Sequence, residues 1–126
     1  MVDVAGVLIT GGGDSRSKVE VYNPLSQNTC SLPDLPDLRH EHTLCGRLLC
    51  GGFQSGRSCL RWDDHHHIFT TADVTLQHDR KGHLCWAEDS QGVRLMGGND
   101  SSNTTEYVSS GGSVTTPGFH LEYSTE

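Results

Sequence analysis

Apolar material is scarce in this 126-residue chain: hydrophobic side chains make up 33% and aromatics 6%. That is below the usual share for a globular domain, so a self-sufficient core is not expected. No stretch approaches the roughly 18 apolar residues that a membrane-spanning helix needs. Met1-Val2-Asp3-Val4 has neither the charged nor the apolar region of a signal peptide. Basic charge is also short, with 9 Lys and Arg against 16 Asp and Glu, a net charge of −7 and no Lys/Arg cluster. A chain so charged is not built to track a phosphate backbone or an anionic bilayer, so neither nucleic acid nor membrane is expected as a partner.

The usual marks of catalysis are missing as well. There is no Gly-x-Ser-x-Gly elbow, no His-Glu-x-x-His and no Cys-x-x-Cys, which removes the simplest serine-nucleophile, zinc and redox motifs. The glycines of Gly46-Arg47-Leu48-Leu49-Cys50-Gly51 are spaced as in a phosphate loop, but Gly52-Phe53 follows where Lys-Ser/Thr would be required. That segment reads as a hairpin. No catalytic residue, cofactor or metal ligand is assigned, and the chain is not expected to be an enzyme.

What the sequence does have is glycine, at 15 positions, and a period. An apolar run ends in a glycine doublet three times: Val7 to Gly11-Gly12, Leu48 to Gly51-Gly52 and Val93 to Gly97-Gly98, the doublets standing 40 and 46 positions apart. A large aromatic follows each, at Tyr22, Trp62 and Tyr107, at intervals of 40 and 45. Arg-x-x-His recurs at Arg39-His42 and Arg80-His83, 41 apart. Repeats of about 40–50 residues made of short strands indicate the blades of a propeller. Glycine after a buried strand permits positive φ or close backbone approach. Alternation in Lys18-Val19-Glu20-Val21-Tyr22 puts Val19 and Val21 on one face and Tyr22 on the other.

These columns resemble the kelch motif, in which an apolar strand ends in Gly-Gly, a Tyr and then a Trp follow, and an Arg leads into the next blade. The expected fold is therefore all-β, an incomplete kelch-type propeller with blades of four antiparallel strands, in units of about 1–38, 39–79 and 80–126. The usual Trp is absent, with Cys30, Phe69 and Phe119 near its place. Eleven strands are expected: Val7–Thr10, Val19–Tyr22 and Thr29–Leu32; His42–Cys45, Leu48–Cys50, Cys59–Trp62 and His67–Thr71; His83–Ala87, Val93–Met96, Thr105–Val108 and Phe119–Tyr123. Propellers close with about four to eight blades. Three blades imply either a fragment of a longer chain, since Glu126 falls where a next innermost strand would begin, or self-association that closes the ring.

The repeated residues Gly11, Gly12, Tyr22, Arg39, Gly51, Gly52, Trp62, Arg80, Gly97 and Gly98 read as structural. The aromatics would pack between blades, and the arginines would form a salt bridge or carbonyl contact. His42 and His83 read as hydrogen-bonded packing residues, and His65-His66-His67 as a solvated turn. Binding is expected on the loops, with Arg16, Gln54, Arg57, Asn99 and Asp100 as contacts at loop tips and Leu32–Asp37 and Asp73–His78 beside them. The resemblance implies a protein-interaction module whose partner is a protein.

Two other classes compete. Galactose-oxidase-like copper enzymes use a related propeller, but Tyr22, Tyr107 and Tyr123 do not pair with a cysteine and histidines as such a site requires. The other is a structural propeller segment of an extracellular multidomain glycoprotein. Sequons at Asn99 and Asn103 and five cysteines lean to an extracellular compartment. The cysteine number is odd, so at least one has no partner within the chain. Cys50–Cys59 across one hairpin and Cys30–Cys50 between blades are the bridges considered, beside small buried thiols.

Overall fold

The computed structural model describes residues 6–12, 17–53, 56–98, 104–109 and 112–116. Among them are eleven strands and no helix, in three antiparallel meanders. The first sheet has β1 (Val7–Thr10), β2 (Val19–Asn23) and β3 (Asn28–Leu32). The second has β4 (Thr43–Cys45), β5 (Leu48–Cys50), β6 (Ser58–Asp63) and β7 (Ile68–Thr75). The third has β8 (Leu84–Ala87), β9 (Gly92–Met96), β10 (Thr105–Ser109) and β11 (Gly112–Thr116).

Ten strands lie where alternation and the glycine doublets place them. The eleventh differs. Phe119–Tyr123 lies outside the described residues, and the fourth strand of the third sheet is β11, in a Ser/Gly/Thr stretch that reads as loop. It pairs along its length with β10, from Thr105↔Thr116 to Ser109↔Gly112. Pairing with a formed neighbour outweighs the weak strand preference of Gly and Ser. β7 also runs past Thr71: Asp73, Val74 and Thr75 belong to the strand rather than to a loop, and Val74 and Leu76 are buried.

The three sheets share one register. Leu8↔Val21 in β1–β2 corresponds to Leu48↔Arg61 in β5–β6, 40 positions on. That pair in turn corresponds to Arg94↔Tyr107 in β9–β10, 46 positions further. On this register Tyr22 is equivalent to Trp62, but Trp62 is equivalent to Val108, not to Tyr107. A shift of one residue turns a strand side chain to the opposite face. Trp62 and Val108 are accordingly buried, while Tyr107 is half-exposed on the far face of the third sheet.

The second sheet lies between the other two. Its Leu49, Leu60, Trp62 and Phe69 pack with Val19 and Leu35, with Leu8 and Leu32 at the margin. Its other face, with Leu48, Cys50, Cys59, Ala72 and Val74, packs on Val93, Leu95 and Val108. Neighbouring strands of like rank meet, β4 with β8 and β7 with β11. A disulfide joins Cys50 and Cys59, direct cross-strand partners with Cα atoms 4.2 Å apart. A second, Cys45–Cys85, ties the second sheet to the third with Cα atoms 6.2 Å apart. Cys30 is unpaired and exposed, not a buried thiol. The outer faces of the stack expose apolar side chains: Val7 and Ile9 on the first sheet, Leu84, Trp86 and Val114 on the third.

Candidate interaction surfaces

Connections leave the sheets at two ends, and different devices shape each. At the glycine-doublet end a buried arginine clamps the neck of a loop. Arg39 is fully buried and all five of its N–H donors are used. Nε and Nη2 donate to the two oxygens of Asp37 at 2.8 and 3.1 Å. Nη1 donates to the carbonyls of Gly51 and Ser58, both at 2.9 Å, and Nη2 to Ser58 Oγ at 2.6 Å. The fork geometry of guanidinium suits such a cluster.

Arg80 repeats the arrangement one sheet on. It donates to the carbonyls of Gly97 at 2.9 Å and Thr104 at 3.3 Å, and to Thr104 Oγ1 at 2.8 Å. Its carboxylate comes from elsewhere: Glu106 on β10 accepts from Nε at 2.8 Å, and both side chains are fully buried. The other Glu106 oxygen accepts from the Gln77 N–H and from Ser113 Oγ. Each arginine therefore bridges the two sides of a connection at its neck, Gly51 to Ser58 and Gly97 to Thr104, and holds its base.

The glycines admit this clamp. Gly51 has φ +71°, and a Cβ there would stand 2.5 Å from the Arg80 carbonyl oxygen. Gly12 N–H donates to the Arg39 carbonyl at 3.0 Å and Gly52 N–H to the Arg80 carbonyl at 2.8 Å, backbone bonds between adjacent sheets. Beside them His42 Nε2 lies 2.8 Å from Thr10 Oγ1, and His83 Nε2 2.8 Å from Thr43 Oγ1. Burial pushes the His83 pKa down to about 4, with the Arg80 charge adding to it, and lowers that of His42 for the same two kinds of reason, with Arg39 as the neighbouring charge. Both imidazoles are thus neutral packing groups at neutral pH.

Of the residues expected at loop tips, Arg16, Gln54, Asn99 and Asp100 lie outside the described residues, as does the sequon residue Asn103. Arg57 is exposed, and its Nε donates to the Leu76 carbonyl at 3.0 Å. The adjoining Leu32–Asp37 connection is not wholly solvated, because Leu35 is buried and its N–H donates to the Ser17 carbonyl.

The opposite end carries the hairpin turns. Asn23 and Asp63 each accept two backbone N–H groups from their own turns. His65 and His66 are exposed there, while His67 stacks on Trp62. The β4–β5 turn needs only Gly46 and Arg47, whereas β8 and β9 are joined by Glu88, Asp89, Ser90 and Gln91. Arg80 stands 17 residues before Gly97, against 12 from Arg39 to Gly51. The longer third repeat therefore lies mainly in this hairpin. Asp89 Oδ1 accepts the N–H groups of Gln91 and Gly92 at 2.8 and 2.9 Å and the Tyr107 hydroxyl at 2.9 Å. These bonds hold the Asp89 pKa below the usual carboxylate range, with the Gln91 N–H first among them.

The two hairpins enclose a cleft of about 260 Å³, lined among others by Gly46, Arg47, Arg61, Asp89, Ser90 and Gln91. Sequence reasoning missed it, although the lengthening of the period from 40 to 46 marks the insertion that walls it. Among the described residues no group of three or more His, Cys, Asp or Glu side chains is placed to hold a metal ion. Compared with known proteins, the chain matches no protein-family model and no curated protein.

Proposed function

We propose that this chain is three blades of a kelch-type β-propeller and that it works by presenting connections on a rigid stack of sheets to a protein partner. The observation that carries this reading is the repeated clamp: Arg39 and Arg80 each tie both ends of a connection to a buried guanidinium. Fixing a loop at its base lowers the ordering cost on binding, which favours a recognition role. Apolar outer faces at Val7, Ile9, Leu84, Trp86 and Val114 fit further blades on either side, from a longer polypeptide or from a second copy.

The test is affinity capture from an extract of the source organism with the intact chain and with a variant whose 53–57 segment is replaced by a Gly/Ser linker. A protein enriched by the intact chain and lost with the variant is the expected result. No enrichment, or equal enrichment by both, contradicts the reading. Light scattering on the same samples separates ring closure by association, seen as a multiple of the chain mass, from a monomer whose missing blades belong to a longer polypeptide.

A further inference from the structure

We infer that the cleft between the β4–β5 and β8–β9 hairpins binds a carboxylate side chain displayed by a protein partner; the inference rests on the interaction-module reading and names the chemistry of one of its contacts. Arg61 lies in β6 two residues from Cys59, on the face turned toward the third sheet. Its neighbours on that face, Leu48, Cys50 and Cys59, are apolar and buried in the core between the sheets. Arg61 is half-buried and lines the cleft, while Asp63 further along the same face is engaged by His65 and His66. Among the described residues the Arg61 guanidinium has no ion-pair or hydrogen-bond partner. A guanidinium set at the edge of a core without a carboxylate has an unfilled fork of donors, which matches a carboxylate in bidentate geometry.

The rest of the cleft points the same way. Arg47, on the β4–β5 turn, also contributes to the lining, and its guanidinium is engaged by Asp64 beside Trp62. Asp89, the acid in the lining, is not within ion-pair distance of Arg61 and is committed to the Gln91 and Gly92 N–H groups and the Tyr107 hydroxyl. Its presence disfavours a dianion such as phosphate and leaves the Arg61 guanidinium to meet a single negative charge. The wall that makes the cleft deep enough is the longer β8–β9 connection, and the second sheet has no equivalent of it on its own turn.

The test uses the isotopically labelled 126-residue chain, with N-acetylglutamate as probe and N-acetylglutamine and inorganic phosphate as controls at constant ionic strength. Nuclear magnetic resonance follows the arginine Nε–H signals and the amides of Ser90 and Gln91. Saturable shifts of Arg61 and of those two amides with N-acetylglutamate are expected, with none from N-acetylglutamine. Arg61→Gln should weaken binding by roughly tenfold or more, the worth of a charge-assisted bond. Arg61→Lys, which keeps the charge but not the fork of donors, should weaken it by about threefold and serves if Arg61→Gln does not fold. Equal shifts with N-acetylglutamine, tighter binding of phosphate, or unsaturating shifts shared with Arg57 and Arg94 would overturn the inference. A protein partner bound equally by wild type and Arg61→Gln would remove the cleft and leave the module standing. Saturable N-acetylglutamate binding with no protein partner would do the reverse.

Discussion

Replacing Arg80 by Met should cost far more stability than the same change at Arg39, although both arginines are fully buried and bind equivalent carbonyls. In the variant Arg80→Met, Glu106 keeps only the Gln77 N–H and Ser113 hydroxyl as partners, and its charge stays fully buried. Leaving such a charge uncompensated costs about 3–5 kcal/mol. In Arg39→Met the orphaned carboxylate is Asp37, which is 41% exposed and returns to water. What remains is the loss of hydrogen bonds to the Gly51 and Ser58 carbonyls, about 1–3 kcal/mol. A gap of about 2 kcal/mol is therefore expected. The position of Glu106 in the common register is occupied by Leu60 in the second sheet, so Arg80→Met with Glu106→Leu should recover at least half of the loss. Urea unfolding followed by circular dichroism reads these differences as shifts in midpoint at constant slope. A stabilising osmolyte keeps the weaker variants folded in the baseline. The reasoning is refuted if Arg39→Met costs as much as Arg80→Met, or if the double variant loses the sum of its singles.

Three further outcomes follow from the same geometry. Gly51→Ala should lose about 1–3 kcal/mol in urea unfolding, because a Cβ meets the Arg80 carbonyl and φ is positive. Trp62→Ala should cost about 3–5 kcal/mol, as for a large core side chain, whereas Tyr107→Phe should stay within about 1 kcal/mol, as expected of an exposed hydroxyl; similar losses would contradict the shared register. His83 has a folded pKa of about 4, below the ordinary value of 6.5, so the unfolded chain binds its proton first. Its contribution is complete above about pH 6.5 and is lost as pH falls toward 4, up to about 3 kcal/mol. His83→Asn should flatten that part of a stability profile measured against pH, and an unchanged slope would refute the assignment.

Much of the fold was legible because two signals are short-ranged and strong. Strand alternation in Val19–Tyr22 and the doublets after Thr10, Cys50 and Met96 mark strand ends directly. The readings that went astray depended on partners distant in sequence. Gly112–Thr116 is a strand because β10 offers it a ladder, which its own composition does not announce. Tyr107 falls in the aromatic column by spacing alone, but its interval of 45 is one short of the doublet spacing of 46, and that one residue reverses its face. Nothing local marks Glu106 as buried, because its partner Arg80 lies 26 positions away. Cys45–Cys85 spans 40 residues, one repeat, and that separation was a usable sign of neighbouring sheets. The hairpin cleft was hidden because it needs turns from two sheets at once.

The central claim is that the three sheets stack in one register through the glycine doublets. Amide hydrogen exchange at Gly12 and Gly52 tests it most directly, since each donates to an arginine carbonyl one sheet away and to nothing in its own ladder. The account predicts that both amides are protected in the folded chain, at a level comparable to the strand amides of β5 and β6. Exchange of Gly12 and Gly52 at the rate of an open peptide, with those strand amides still protected, would mean that the sheets form without stacking and would contradict it.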